Sequence, residues 1–127
     1  MIDKEKEMFT IVSAEIREKY PNIYVIGTEL TSTPPHFPAV SIVQTNNVIK
    51  TAYSTFDNLE NVVREDYKVE VYSNLEKGKE TKTKEITNDI SDIFRNLGFE
   101  RTFCEAVMNS DPTISRRISR YIKNNVI

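Results

Sequence analysis

The residues of this sequence that could carry chemistry are few and lie far apart. His36 is the only histidine and Cys104 the only cysteine among 127 residues. His36 could act as a general base, but a lone histidine among the prolines of a surface loop is usually incidental. Cys104 follows Phe103 in an apolar segment, which favours a small buried side chain over a nucleophile. The two residues also fall short of a zinc ligand set. We therefore expect a protein that is not an enzyme and has no metal or cofactor site.

Two groups of charged residues admit a structural and a functional interpretation. Four acids lie on the polar side of a predicted helix: Glu80, Glu85, Asp89 and Asp92. They are better explained as a solvated helix face than as a carboxylate site. Four basic residues lie near the C-terminus: Arg116, Arg117, Arg120 and Lys123. They suit a solvated surface with weak salt bridges, and the alternative is contact with an acidic partner subunit or with DNA passing nearby.

Aromatic residues indicate a second candidate interface. Tyr53, Phe56 and Tyr67 border a segment without clear periodicity, and tyrosine is enriched where protein surfaces meet. We predict partner contacts for Tyr53 and Phe56, and for the arginines at 116, 117 and 120. Some of the three aromatic residues could equally belong to the core.

Length and composition predict one soluble domain spanning residues 1–127. Hydrophobic residues make up 39% and charged residues 28%, which is typical of a globular chain. The 17 basic and 19 acidic residues give a net charge of −2, which argues against a general nucleic-acid binder. The N-terminus lacks the pattern of a signal peptide, so we expect no passage through a secretion pathway. A lone cysteine leaves no internal disulfide, and no apolar run is long enough for a membrane span.

The spacing of hydrophobic residues predicts the helix and the strands in the first half of the chain. Residues 3–20 form an amphipathic helix ended by Pro21, since proline disfavours helix at the residue before it. Residues 23–30 and 39–46 are strands, separated by the proline-rich segment 31–38. Asn46 and Asn47 predict a turn. We interpret residues 47–65 as a long loop or an extended hairpin.

The second half carries the clearest pattern. Residues 66–73 alternate as a strand with one buried and one wetter face. From Glu80 the apolar spacing becomes helical and ends at Leu97, where Gly98 can close the helix and Phe99 can fold back onto it. Residues 101–108 predict another strand. Residues 113–122 suit helix and strand equally. Their isoleucines are four residues apart, which favours a helix, and in a strand they would share one face with Arg116 and Arg120, which makes a poor core face.

The order of these elements predicts an α+β fold. A mostly antiparallel β-sheet would carry two amphipathic α-helices packed on one face.

The whole chain resembles the small tail terminator and head–tail joining (neck) proteins of tailed bacteriophages. Four passages carry the resemblance: residues 67–73, the Gly78-Lys79 turn, the helix to Leu97 with Gly98 and Phe99, and residues 111–121 with arginines and aromatics among alternating apolar positions. The family's closing element is a strand, so the resemblance favours a strand at 113–122.

The resemblance implies a structural role in virion assembly. Such proteins form a ring, usually a homohexamer, that caps the finished tail tube and joins it to the neck. The implied partners are the tail tube protein and neck or connector proteins, with DNA only passing through the ring and no membrane. The implied location is the viral tail or neck, after synthesis in the bacterial host cytoplasm.

Two alternatives stay open. One is a head-side connector or stopper protein of the neck. The other is a small non-catalytic ligand-binding module that uses the strand faces and the proline-rich loop.

Overall fold

A computed structural model of the chain describes residues 5–28, 34–49, 62–75, 77–108 and 112–126. Two helices and five strands follow one another in the order α1 (Glu5–Lys19), β1 (Tyr24–Ile26), β2 (Ala39–Ile49), β3 (Val62–Ser73), α2 (Lys79–Asn96), β4 (Glu100–Val107) and β5 (Ser115–Val126). None of the helices in the described ranges combines the length and apolar character needed to cross a membrane.

The strands form one five-stranded sheet in the order β1-β2-β3-β5-β4. The β1–β2 pair is parallel and the other three pairs are antiparallel. Helix α2 packs over β3 and β5, and α1 packs against α2 and β2. The predicted fold class, a mostly antiparallel sheet with two helices on one face, is confirmed. We call the covered side of the sheet the helix face and the opposite side the open face.

Helix α1 forms where the sequence predicts it. Met8, Val12 and Ile16 recur every four residues and are buried, so they build one apolar stripe on the inner side of the helix. The last helical residue is Lys19, and Pro21 follows in a turn. The stripe meets Val40 and Ile42 of β2 in a single hydrophobic core.

Helix α2 begins and ends at glycines in the left-handed region. Gly78 has φ +78° before the first turn, and Gly98 has φ +91° after the last. The Phe99 amide donates to the Phe94 carbonyl oxygen at 2.9 Å, which is the bond that folds the chain back over a helix C-terminus. The rings of Phe94 and Phe99 then meet edge to face, with centroids 5.2 Å apart. The predicted closure of the helix by Gly98 and Phe99 is confirmed.

Of residues 113–122, those from Ser115 onward are a strand, as the resemblance indicated, and the strand continues to Val126. Tyr121 of β5 stacks on Phe94, with the ring centroids 4.3 Å apart, and Ser119 lies opposite Val69 of β3. Odd-numbered residues of β5 therefore lie on the helix face. Ile118 and Ile122 lie on the open face with Arg116 and Arg120, and Ile114 precedes the strand. The four-residue spacing of the isoleucines therefore did not separate helix from strand.

Three sequence predictions about the strands are wrong in detail. Asn46 and Asn47 do not turn, because β2 continues through them and pairs with β3 as far as Ile49–Val63 across a bulge after Gln44. The first strand covers only Tyr24–Ile26 of the predicted 23–30, and residues 29–30 lie outside the described residues. Residues 27 and 28 form a bend, and the Thr28 carbonyl oxygen accepts a hydrogen bond from the Ser41 hydroxyl at 2.7 Å instead of a backbone ladder bond.

The third error concerns the wetter face of β3. Glu70 is 4% exposed and Tyr72 is 8% exposed, although both lie on the open face, opposite Ile118 and Arg116 of β5. Arg116 of β5 covers both, because its guanidinium binds Glu70 and lies over the Tyr72 ring. Of the predicted loop or hairpin at 47–65, residues 47–49 and 62–65 belong to the paired strands, and residues 50–61 lie outside the described residues.

Candidate interaction surface

The arginines predicted as an interface lie on two sides of the sheet. Alternation along β5 places Arg116 and Arg120 on the open face, and it places Arg117 on the helix face with Ser119 and Tyr121. The basic residues near the C-terminus therefore do not form one patch. Each makes different contacts, and each needs its own interpretation.

Arg116 takes part in an ion-pair network on the open face. Its Nη2 donates to Glu70 Oε1 at 2.9 Å, and Lys68 Nζ lies 3.6 Å from the same oxygen. The Tyr72 hydroxyl donates to Glu70 Oε2, and the Arg116 guanidinium lies 5.9 Å from the centre of the Tyr72 ring. Four side chains from two strands thus gather around one carboxylate, and the Nε of Arg116 is buried without a hydrogen-bond partner among the described residues. Arg116 therefore has a structural role within the sheet.

The network sets the protonation of its members. Burial acts most strongly on Glu70 and raises its pKa, but hydrogen bonds from Tyr72 and Arg116, with the charges of Arg116 and Lys68, outweigh it. The pKa of the Glu70 carboxyl therefore lies below its ordinary value. Burial and the hydrogen bond to Glu70 hold the pKa of the Tyr72 hydroxyl well above its ordinary value. Glu70 is a carboxylate and Tyr72 a phenol across the neutral range.

Arg117 and Lys123 are half-buried on the helix face. Arg117 Nη1 lies 3.8 Å from Cys104 Sγ. Lys123 Nζ donates to the Leu97 carbonyl oxygen at 2.8 Å, which satisfies a carbonyl at the C-terminus of α2. The Cys104 side chain is half-buried rather than buried. These contacts give both basic residues structural roles.

Of the three arginines predicted as an interface, Arg120 is the one whose side chain is free to contact a partner. It is exposed on the open face, and no ion pair involves it among the residues that the structure describes. Phe103 of β4 lies opposite it and is 39% exposed. Glu105, two residues along β4, is also exposed and lies opposite Ile118. Arg120 is therefore the basic residue best placed to meet a partner.

The aromatic predictions have different outcomes. Tyr67 is 1% exposed and packs against Phe94 and Phe99 in the core, with ring centroids 5.8 and 5.4 Å away. It belongs to the fold. Tyr53 and Phe56 lie outside the described residues, so their predicted interface role stays a prediction.

The open face combines apolar side chains with charges that are already paired. Arg64 Nε lies 2.9 Å from Asp66 Oδ1, which adds a second ion pair beside the Glu70 network. Ile118 and Val43 are half-buried on the same face. A partner that covers this part of the open face, away from Arg120, buries charges that are already compensated. Two further large apolar side chains, Leu75 and Met108, are 48% and 94% exposed beyond the ends of β3 and β4.

His36 and Cys104, the two residues that could act in catalysis, lie in separate parts of the fold. His36 is exposed and meets the Tyr24 ring edge to face, with centroids 5.5 Å apart. It borders an open depression of about 480 Å³, lined by Pro21, Asn22, Ile23, His36 and Phe37. Cys104 lies on β4, on the other side of the sheet order. In the described ranges no three acidic, histidine or cysteine side chains converge as a metal site would require.

One of the four acids on α2 is not simply solvated. Asp89 is half-buried and accepts a hydrogen bond of 2.5 Å from the Tyr20 hydroxyl and one of 3.2 Å from Lys19 Nζ. It therefore joins the end of α1 to the middle of α2. Asp92 is exposed and pairs loosely with Arg95 at 3.7 Å, as a solvated face predicts.

Comparison of the sequence with protein-family models and with curated proteins finds no match.

Sequence reasoning missed Glu70 and Tyr72, a buried and hydrogen-bonded polar pair of the open face. An acid and a tyrosine two residues apart in a strand share a face, and that spacing was the available indication. Arg116, their partner, lies 46 residues further along the chain. The sequence alone could not show that β3 and β5 are neighbours.

Proposed function

We propose that this chain is a structural assembly protein of tailed bacteriophages, a tail terminator whose ring caps the tail tube and joins it to the neck. The resemblance of the sequence is the starting point. The confirmed α+β fold is the architecture that this resemblance implies, and it supports the proposal to that extent.

The observation that carries the proposal is the open face. It holds Val43, Ile118 and Phe103 beside two sets of paired charges, and no helix of the described residues lies over it. Apolar side chains beside neutralised charges are typical of surfaces that a protein partner covers. A ring subunit needs such surfaces, because complementary contacts on two sides close a cycle.

The activity that defines a terminator is the arrest of tube growth. The test adds the purified protein to polymerising tail tube protein, whose gene we expect just downstream, and measures tube lengths by electron microscopy. We expect tubes that stop growing and carry a cap at one end. Tubes of unchanged length without a cap would contradict the proposal. Binding to the head-side neck instead of the tube would favour a connector or stopper.

The depression beside His36 favours a second candidate, a small-ligand-binding module. Its volume of about 480 Å³ falls in the range of small-molecule sites, and Ile23 and Phe37 give it apolar walls. A thermal-shift screen with small metabolites tests this candidate. A raised melting temperature that disappears in His36→Ala would support it, and a flat response across the screen would count against it.

A further inference from the structure

The sheet has an unpaired strand edge on each side. Among the residues that the structure describes, β4 pairs with β5 alone, and no strand lies along its other edge over its eight residues, Glu100–Val107. On the far side, β1 pairs only with residues Ala39–Ser41 of β2. Among the described residues no strand lies beside β2 from 42 to 49, a stretch that is also eight residues long. The two free edges therefore match in length.

The directions of the strands also match. Strands β2 and β5 run one way, and β3 and β4 run the other. Rotation of identical subunits about an axis roughly along the strands preserves these directions. The β4 edge of one subunit then meets the β2 edge of the next in antiparallel orientation, which gives regular main-chain hydrogen bonds. The same rotation keeps the helix faces of neighbouring subunits on one side of the combined sheet.

The side chains at the two edges are compatible. Phe103 of β4 and Val43 of β2 both lie on open faces, and with Cys104 opposite Gln44 they are diagonal neighbours, a separation that an aromatic side chain can span. Residues 42–49 include no charged residue, so Glu105 of β4 would meet no like charge across the contact. A bulge between Arg101 and Phe103 discourages indiscriminate pairing, and the register is continuous from Phe103 to Val107.

We propose that β4 of one copy of this chain pairs antiparallel with residues 42–49 of β2 in the next copy. We call this contact the β4–β2 seam. Repeated around a cycle, the seam joins the sheets of identical subunits into one continuous sheet. The inference rests on the proposed function, because it takes a closed ring of identical subunits as given.

The single native cysteine makes the seam testable. A register that sets Cys104 opposite Gln44 overlaps residues 100–106 with 42–48 and matches the faces, because Gln44 and Cys104 both lie on the helix face. Within one chain β3 and β5 separate these positions, so their Cα atoms lie about 14 Å apart, at three strand spacings. That distance excludes an internal disulfide. In the Gln44→Cys variant, a bond to Cys104 can form only between copies.

The experiment oxidises the full-length Gln44→Cys protein and separates it on a non-reducing gel. We expect a ladder of covalent oligomers that reaches the size of the ring. The control is Glu15→Cys, which places the second cysteine on the exposed side of α1, and it should give no ladder beyond dimers. Native mass spectrometry of the reduced Gln44→Cys protein reports separately whether the ring is present.

Each outcome bears on the seam. A ring without a ladder overturns the seam and leaves the proposed function standing. The absence of both overturns both. Covalent dimers of the wild-type protein through Cys104 would indicate a two-fold β4–β4 contact and would also overturn the seam.

A second variant covers the case in which Gln44→Cys fails to fold. Phe103→Lys places a charge on the seam and should shift the protein from ring to monomer, while its circular-dichroism spectrum stays that of the folded chain. Met108→Lys, at a residue that is 94% exposed beyond the end of β4, should leave the ring intact. A Phe103→Lys protein that assembles like the wild type would contradict the seam.

Discussion

The Arg116 guanidinium on β5 donates to the Glu70 carboxylate on β3 at 2.9 Å, on the side of the sheet over which no helix of the described ranges packs. The side chain of Glu70 is 5% exposed and that of Arg116 is 29% exposed. This ion pair links the two longest neighbouring strands, which are each twelve residues long. It makes Arg116 a structural residue on a face that is otherwise suited to a partner.

Replacing Glu70 should destabilise the fold. Glu70→Gln keeps the size of the side chain but leaves Arg116 and Lys68 without their shared carboxylate, and a half-buried charge that loses its partner is costly. We expect the free energy of unfolding to fall by about 2 kcal/mol, measured by urea denaturation at pH 7. Asp92→Asn removes an exposed, loosely paired acid from α2 and should change the stability little. Equal effects of the two variants would contradict the role of the network.

The same variant should change the acid response. The pKa of Glu70 is lowered in the folded chain, so its contribution to stability is present above its unfolded pKa and is lost as the pH falls through the folded pKa. Urea midpoints measured from pH 7 down to pH 2 should therefore fall more steeply for the wild type than for Glu70→Gln. Parallel curves for the two proteins would contradict this assignment.

Tyr20 should make the helix pair sensitive to alkali. Burial, then the hydrogen bond to Asp89, raises the pKa of the Tyr20 hydroxyl well above its ordinary value. This contribution is present below the unfolded pKa of about 10 and is lost as the pH rises through the folded pKa. Tyr20→Phe should lower the stability at pH 7 by about 1 kcal/mol and show a smaller further loss above pH 10. Thermal unfolding between pH 7 and pH 11 measures both effects, and an alkaline loss unchanged by the mutation would argue against the pair.

Gly98 should resist substitution more strongly than Gly78. Both have positive φ, which costs a residue with a side chain about 1 kcal/mol or more. A Cβ at Gly98 would also lie 3.2 Å from Lys123 Cε, whereas a Cβ at Gly78 meets nothing within 4 Å. We expect Gly98→Ala to lower the melting temperature more than Gly78→Ala, as measured by circular dichroism. The reverse order would contradict the packing at the end of α2.

Arg116 and Arg120 should separate folding from assembly. Arg116→Ala breaks the Glu70 network and should lower the melting temperature, whereas Arg120 is exposed and unpaired among the described residues. Arg120→Ala should therefore leave the melting temperature nearly unchanged and weaken self-association, which sedimentation velocity measures. If Arg120→Ala assembles as well as the wild type, Arg120 has no place in the interface.

The sequence predicted most of the elements because their periodicity is local. The stripe of α1 and the closure of α2 at Gly98 depend on residues within a few positions of each other, and both were confirmed. The extent of β2 was missed because Asn46 and Asn47 favour a turn locally, whereas pairing with Asp66 and Glu65 of β3 holds them extended.

The contacts among the polar side chains of the open face could not be predicted from local sequence patterns. Glu70, Tyr72 and Arg116 come together only because β5 inserts between β3 and β4 in the sheet order. No periodicity within β5 indicates that neighbour. The three predicted interface arginines were treated as one patch for the same reason, since their separation onto two faces depends on the strand assignment that periodicity left undecided.

The central claim is that this chain closes into a ring. Native mass spectrometry and negative-stain electron microscopy of the purified protein test it most directly. We predict a species of six 14.7 kDa subunits that appears as a six-fold ring with a central hole. A protein that stays monomeric at high concentration and shows no ring would contradict the account.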